Sequence, residues 1–148
     1  MRNYDVLKAE VTLNAHTRFD FQAKNSRTGE IGWVEVKCVT LVDDQKIGWF
    51  PDAPSERASK HLRELILLVR PAAKLAHVIR TRQPGVRSFV YFILQNPRGL
   101  AVSPKADTDP IFAATLRKAA KSKVILRAFR ARVNLKGAVL EKPIPVLL

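Results

Sequence analysis

The sequence predicts an α/β protein built on a mixed sheet. Three segments before residue 42 alternate apolar and polar side chains with period two, as half-buried strands do. The rest of the chain interleaves helical periodicity with apolar runs of strand length, so the order is three strands, helix or helices, strand, helix, strand.

The first strand covers Asp5–Leu13, where Leu7, Ala9, Val11 and Leu13 are apolar and Lys8, Glu10 and Thr12 polar. In Thr17–Lys24, Phe19, Phe21 and Ala23 share one face and Arg18, Asp20 and Gln22 the other. In Ile31–Leu41, Val34, Val36 and Cys38 oppose Trp33, Glu35 and Lys37. Asn14-Ala15-His16 and Asn25–Glu30 read as turns. An irregular stretch through Gly48 and Pro51 leads to a helix near Pro54–Ser55, with Ser55 as N-cap and Glu56 in the first turn. Ala58, Leu62, Leu65, Ile66 and Val69 recur at helical spacing until Pro71 ends or kinks the helix. A second, basic helix is expected over Ala72–Arg82. Ser88–Gln95 is apolar enough for a fully buried strand. Asp109-Pro110 opens a helix running to about Ser122. Val124–Leu135 is a further strand and Ala138–Leu140 a short last one.

Length and composition narrow the function classes. The 148 residues suit one domain. A hydrophobic share of 47% with 26% charged residues excludes a disordered chain. Leu65–Val69 and Phe89–Leu94, the longest apolar runs, are too short to span a bilayer, and Met1-Arg2-Asn3-Tyr4-Asp5 carries no apolar signal core. Cys38 is the single cysteine, which removes any internal disulfide or cysteine-based zinc site. A cytoplasmic location without membrane partner is the expectation.

Charge gives the first functional lead. The formal net charge is +13 and is unevenly spread. Residues 1–53 hold 7 basic and 8 acidic side chains, residues 54–148 hold 19 basic and 5 acidic. A polyanion suits the second part, because lysine and arginine on phosphates release counterions. A solvated basic surface is the bland alternative.

Chemistry concentrates in the first hairpins. If the second turn is symmetric about residues 27 and 28, Asp20 lies across from Glu35, Arg18 from Lys37, Phe19 from Val36 and Phe21 from Val34. One face is then apolar and the other carries two carboxylates and a lysine; a one-residue slip would mix them. Continuing through an unbulged first turn puts Glu10 opposite Asp20. Facing carboxylates repel unless something joins them, and a divalent cation does so. Mg²⁺ (or Mn²⁺) takes oxygen ligands, here Asp20, Glu35, the Val36 carbonyl and Glu10. Lys37 would stabilise charge developing on a phosphodiester or orient an attacking water. The structural alternative is an exposed strand face with cross-strand salt bridges such as Arg18 with Glu35.

Further stretches follow in order: Arg18-Phe19-Asp20-Phe21, Val34-Glu35-Val36-Lys37-Cys38-Val39-Thr40-Leu41, Phe50-Pro51-Asp52-Ala53, Ser55-Glu56-Arg57 and Lys60-His61-Leu62-Arg63-Glu64-Leu65. With Asp109-Pro110 and the terminal Pro143-Ile144-Pro145-Val146-Leu147, they closely resemble the sugar fermentation stimulation protein A family of bacteria and archaea. The resemblance implies a restriction-endonuclease-like domain of the PD-(D/E)xK type, a mixed sheet flanked by helices. It also implies DNA binding and a link to regulation of sugar catabolism. The family's Asp and Glu-x-Lys positions match Asp20, Glu35 and Lys37. Against the family pattern, the small oligonucleotide-binding-type barrel that usually comes first is expected to be absent. Cys38 stands where Asn is common, and Pro71–Arg87 is longer and more basic.

Single residues carry two readings each. Asp52 caps the helix or supports the acidic site from behind. Glu56 and Lys60 form an i,i+4 ion pair, or Lys60 and His61 face the metal site and meet phosphate. His61 fits a helix surface better than a zinc site, since His16 and His77 offer no ligand spacing with it. Arg57 and Arg63 contact phosphate or solvent. Arg130 and Arg132 share a strand face able to line a phosphate path, as could Arg117, Lys118, Lys121 and Lys123 at a helix end. Trp33 and Trp49 stack on bases or pack at the core rim. No glycine loop suits a nucleotide. The nucleic-acid contacts expected are therefore Arg18, Arg57, Lys60, His61, Arg63, Arg130 and Arg132. The favoured function is a Mg²⁺-dependent phosphodiesterase acting on nucleic acid, DNA before RNA. Its alternatives are a non-catalytic DNA-binding regulator that keeps the nuclease fold and a basic interaction module with a merely structural acidic face. Oligomeric state stays open, a homodimer being one option.

Overall fold

The computed structural model describes residues 3–69 and 85–148. The basic helix expected over Ala72–Arg82 lies outside them. Strands β1 (Tyr4–Asn14), β2 (Thr17–Asn25) and β3 (Ile31–Val39) form two consecutive antiparallel hairpins. Helix α1 (Glu56–Val69) follows the short strand β4 (Ile47–Phe50) and precedes β5 (Val86–Leu94). Strand β6 (Ala101–Pro104), helix α2 (Pro110–Lys121), and the hairpin of β7 (Ile125–Asn134) and β8 (Gly137–Ile144) complete the order.

The main sheet runs β1-β2-β3-β5-β7-β8, and β4 and β6 make a second, two-stranded parallel sheet. Its centre, β3-β5-β7, is parallel; the flanks are antiparallel. The sheet is thus mixed, as the sequence predicts. A parallel centre needs crossovers, which α1 and α2 supply. The two helices pack against each other and share one core with β5, through Leu62, Leu65, Phe112, Leu116, Val90 and Phe92.

Local chemistry explains the helix starts. The Ser55 hydroxyl accepts from the Ala58 amide at 3.2 Å, the expected cap. Asp109 caps α2 through Oδ1, 2.8 Å from the Phe112 amide, with Pro110 next in line. Its Oδ2 accepts from the Ser55 amide at 2.9 Å, so one carboxylate ties both helix starts together.

Several expectations are corrected. Asp52 is exposed and Ser55 holds the cap position. The stretch read as irregular contains β4, whose partner β6 was not foreseen; four-residue strands are too short for a period to show. The last strand has eight residues, Gly137–Ile144, where three were expected, with Pro143 on an edge strand where no donor is needed. A register shift at Leu7 breaks the alternation of β1, and Leu7 is exposed while Val11 is buried. Most consequential is β3. The Trp33/Glu35/Lys37 face, read as the polar one, lies toward the helices: Glu35 and Lys37 pair with Val90 and Phe92 of the core, whereas Cys38 on the other face is exposed. Periodicity separates two faces without saying which one a helix will cover.

Candidate metal and nucleic-acid site

The β2–β3 ladder has Phe21 opposite Val34 and Gln22 opposite Trp33, the register inferred from the turn. It stops at Phe21. One residue further, the Asp20 carboxylate itself accepts the Val36 amide, Oδ2 to N at 2.6 Å. A side chain thereby replaces a backbone acceptor, anchoring Asp20 on the Glu35-Val36-Lys37 segment.

Glu35 sits at the centre of β3 and is 3% exposed. Its Oε1 accepts from Lys37 Nζ at 2.5 Å and from His61 Nδ1 at 2.7 Å. Its Oε2 is buried without any hydrogen-bond partner. Burial pushes the carboxyl pKa up, but the His61 hydrogen bond and the Lys37 charge pull it down further, so it lies below the ordinary glutamate range. An ionised carboxylate only accepts, so His61 donates through Nδ1–H.

His61 corrects a sequence reading. Far from lying on the helix surface, it is 3% exposed, bonded to Glu35 and edge-on to Phe19 with ring centroids 5.4 Å apart. The signal was present: Ala58, His61, Leu62, Leu65 and Ile66 form one stripe at 3–4-residue spacing, with histidine inside the apolar face.

The remaining candidates separate into two groups. A groove of about 510 Å³ between the β1–β2 turn and α1 is lined by Arg18, Arg57 and Lys60 together with His16, Glu56 and His61. Lys60 donates to the His16 carbonyl at 2.9 Å rather than pairing with Glu56. Arg18 meets Glu10 at 3.4 Å, not Glu35, and both side chains are exposed. Arg63 is exposed on the same helix. Glu10 has left-handed backbone (φ 51°), uncommon outside glycine, and its carboxylate is 71% exposed. Arg130 and Arg132, by contrast, both hold Glu141 across the β7–β8 hairpin, at 2.8 and 3.8 Å. Trp33 packs edge-on against Phe19 at the core margin, and Trp49 donates Nε1–H to Asp43.

Among the described residues, no group of three or more His, Cys, Asp or Glu side chains converges on one point. What exists is a pair of carboxylates on adjoining strands, one oxygen of each held by a donor. Magnesium is commonly held by one or two carboxylates with water and phosphate completing its shell, and the unpartnered Glu35 Oε2 suits such a ligand set. Among those residues, no helix is long and apolar enough to cross a membrane.

Fold and site together define a mixed α/β domain with a glutamate–lysine–histidine cluster set between its central strand β3 and helix α1. Residues 1–137 match the family described as the sugar fermentation stimulation protein RE domain, and the chain belongs to that family. A sugar fermentation stimulation protein homolog of Desulforamulus reducens is 41% identical over 147 residues, covering 98% of this chain and 54% of its own length. The homolog of Citrifermentans bemidjiense is 37% identical across 100% of this chain and 57% of its own. The chain therefore spans a little over half the length of these relatives. A solved structure described as Pyrococcus furiosus SfsA in complex with Ca²⁺ superposes with a TM-score of 0.81 at 26% identity, over 99% of this chain and 57% of the other.

Proposed function

We propose that this chain has a restriction-endonuclease-like fold, binds a divalent cation, Mg²⁺ or Mn²⁺, and hydrolyses phosphodiester bonds in nucleic acid, DNA before RNA. The observation that carries the reading is Glu35: buried, ionised and left with one unpartnered oxygen. A buried carboxylate oxygen without donor is costly, and a cation ligand removes that cost. Asp20 and Glu35 are the side-chain ligands, with the Val36 carbonyl as the third protein oxygen. Glu10, in solvent beside Arg18, is left out of the set. The relative described with Ca²⁺ supports cation binding in this fold. When bound, the cation supplies charge neutralisation at the phosphate and acidifies water.

Lys37 lies against Glu35 and is the ammonium available to developing phosphate charge. Arg18, Arg57 and Lys60 along the groove, with Arg63 beyond it, would hold the polyanion's phosphates. Arg130, Arg132 and His61 are not assigned there, the first two because Glu141 engages them and the last because it is buried.

The test is incubation of single- and double-stranded DNA and RNA with Mg²⁺ or Mn²⁺, against EDTA. Cleavage by the wild type, lost in Asp20→Ala and Lys37→Ala, supports the enzyme reading. Equal background in all three removes it. Salt-sensitive binding without cleavage would instead make the chain a non-catalytic DNA-binding regulator.

A further inference from the structure

Glu35 distributes its hydrogen bonds unevenly. Lys37 and His61 both donate to Oε1, while Oε2, equally buried, receives nothing. Lys37 rises from the same strand on a flexible stem, so it follows the carboxylate wherever that rotates. His61 does not. Its ring is fixed by α1 and by the edge contact with Phe19, and its side chain is 4% exposed. A rigid donor on one oxygen sets the rotation of the carboxyl group, and with it where the free lone pairs point.

We propose that His61 is the positioning residue of the cation site, holding Glu35 Oε1 so that Oε2 faces the metal. This rests on the cation-binding reading above. A donor behind a metal-bound carboxylate commonly contributes about 10–100-fold in metal affinity, and no sequence motif for the metal includes it. Its neighbour on α1, Lys60, lines the groove assigned to phosphates, so one helix joins the cation-binding acid to the surface that holds the polymer.

The experiment is calorimetric titration of the whole chain with Ca²⁺, alongside circular dichroism as a fold control. His61→Leu fills the volume but removes the donor; His61→Asn restores an N–H at the place of Nδ1; His61→Gln carries its N–H one atom further out. The expected result is Ca²⁺ affinity about 10-fold weaker or worse for Leu and Gln, recovering in Asn. Cation-free DNA binding at low salt should stay at the wild-type level in all three. If Asp20→Ala loses Ca²⁺ while His61→Leu keeps wild-type affinity, the positioning role falls and the cation site stands. Should the wild type bind no Ca²⁺, both fall. Where His61→Leu does not fold, the Asn–Gln pair decides: tighter binding by Asn supports the proposal, and equal binding overturns it.

Discussion

The backbone amide of Val36 donates to Oδ2 of Asp20 at 2.6 Å, side chain to main chain across two antiparallel strands. Asp20 is thus both a strut of the hairpin and a candidate ligand, and the two roles separate by substitution. Asp20→Ala leaves the Val36 N–H without acceptor and should cost about 1–3 kcal/mol. Asp20→Asn keeps an acceptor oxygen and should recover most of that while still failing to bind Ca²⁺. Urea midpoints and calorimetry on both variants check this; equal stability of Asn and Ala would show that the amide bond contributes little.

Glu35 and Lys37 form a largely buried ion pair, with side chains 5% and 14% exposed. Removing one partner strands the other. Lys37→Met should therefore destabilise by about 1–3 kcal/mol. The double variant Glu35→Gln/Lys37→Met should lose less than the sum of the singles, with a coupling of about 0.5–3 kcal/mol. A double-mutant cycle in urea measures it, and strict additivity would argue against the pair.

Acid should expose the same pair. The Glu35 carboxyl lies below its ordinary 4.5 in the folded protein, since the His61 bond and Lys37 outweigh burial. Its contribution to stability is complete above that ordinary value and fades as pH falls through the lower folded one. Wild-type stability should drop more steeply than that of Glu35→Gln below about pH 4.5. Parallel acid-unfolding curves for the two proteins would contradict the assignment.

Asp109 offers a structural test away from the site. It caps α2 and also holds the Ser55 amide at the start of α1. Asp109→Ala should cost about 2–3 kcal/mol, more than an ordinary cap, and Asp109→Asn noticeably less. Thermal unfolding of the two variants distinguishes them; a loss below about 0.5 kcal/mol in Ala would deny the double role.

The groove predicts a salt signature. If Arg57 contacts phosphate, Arg57→Ala should weaken binding uniformly across sequences and lower the slope of log affinity against log salt by about 1. Arg132→Ala, next to Glu141 instead, should leave the slope unchanged. Fluorescence anisotropy over a salt series reads both.

The amino acids alone are enough to read the mixed α/β class, the hairpin register that sets Phe21 against Val34, the Ser55 and Asp109 caps, and the membership of one family. These follow from rules that act over a few residues, such as side-chain period, turn symmetry and cap chemistry, or from motifs read directly. It takes the folded chain to reveal which face of β3 is covered, that His61 closes on Glu35, and that Asp20 bonds the Val36 amide. The fold also shows Arg130 and Arg132 held by Glu141. His61, 26 residues on from Glu35, reaches it only because α1 lies over the central strands, and a period-two pattern contains nothing about what will lie on top of it.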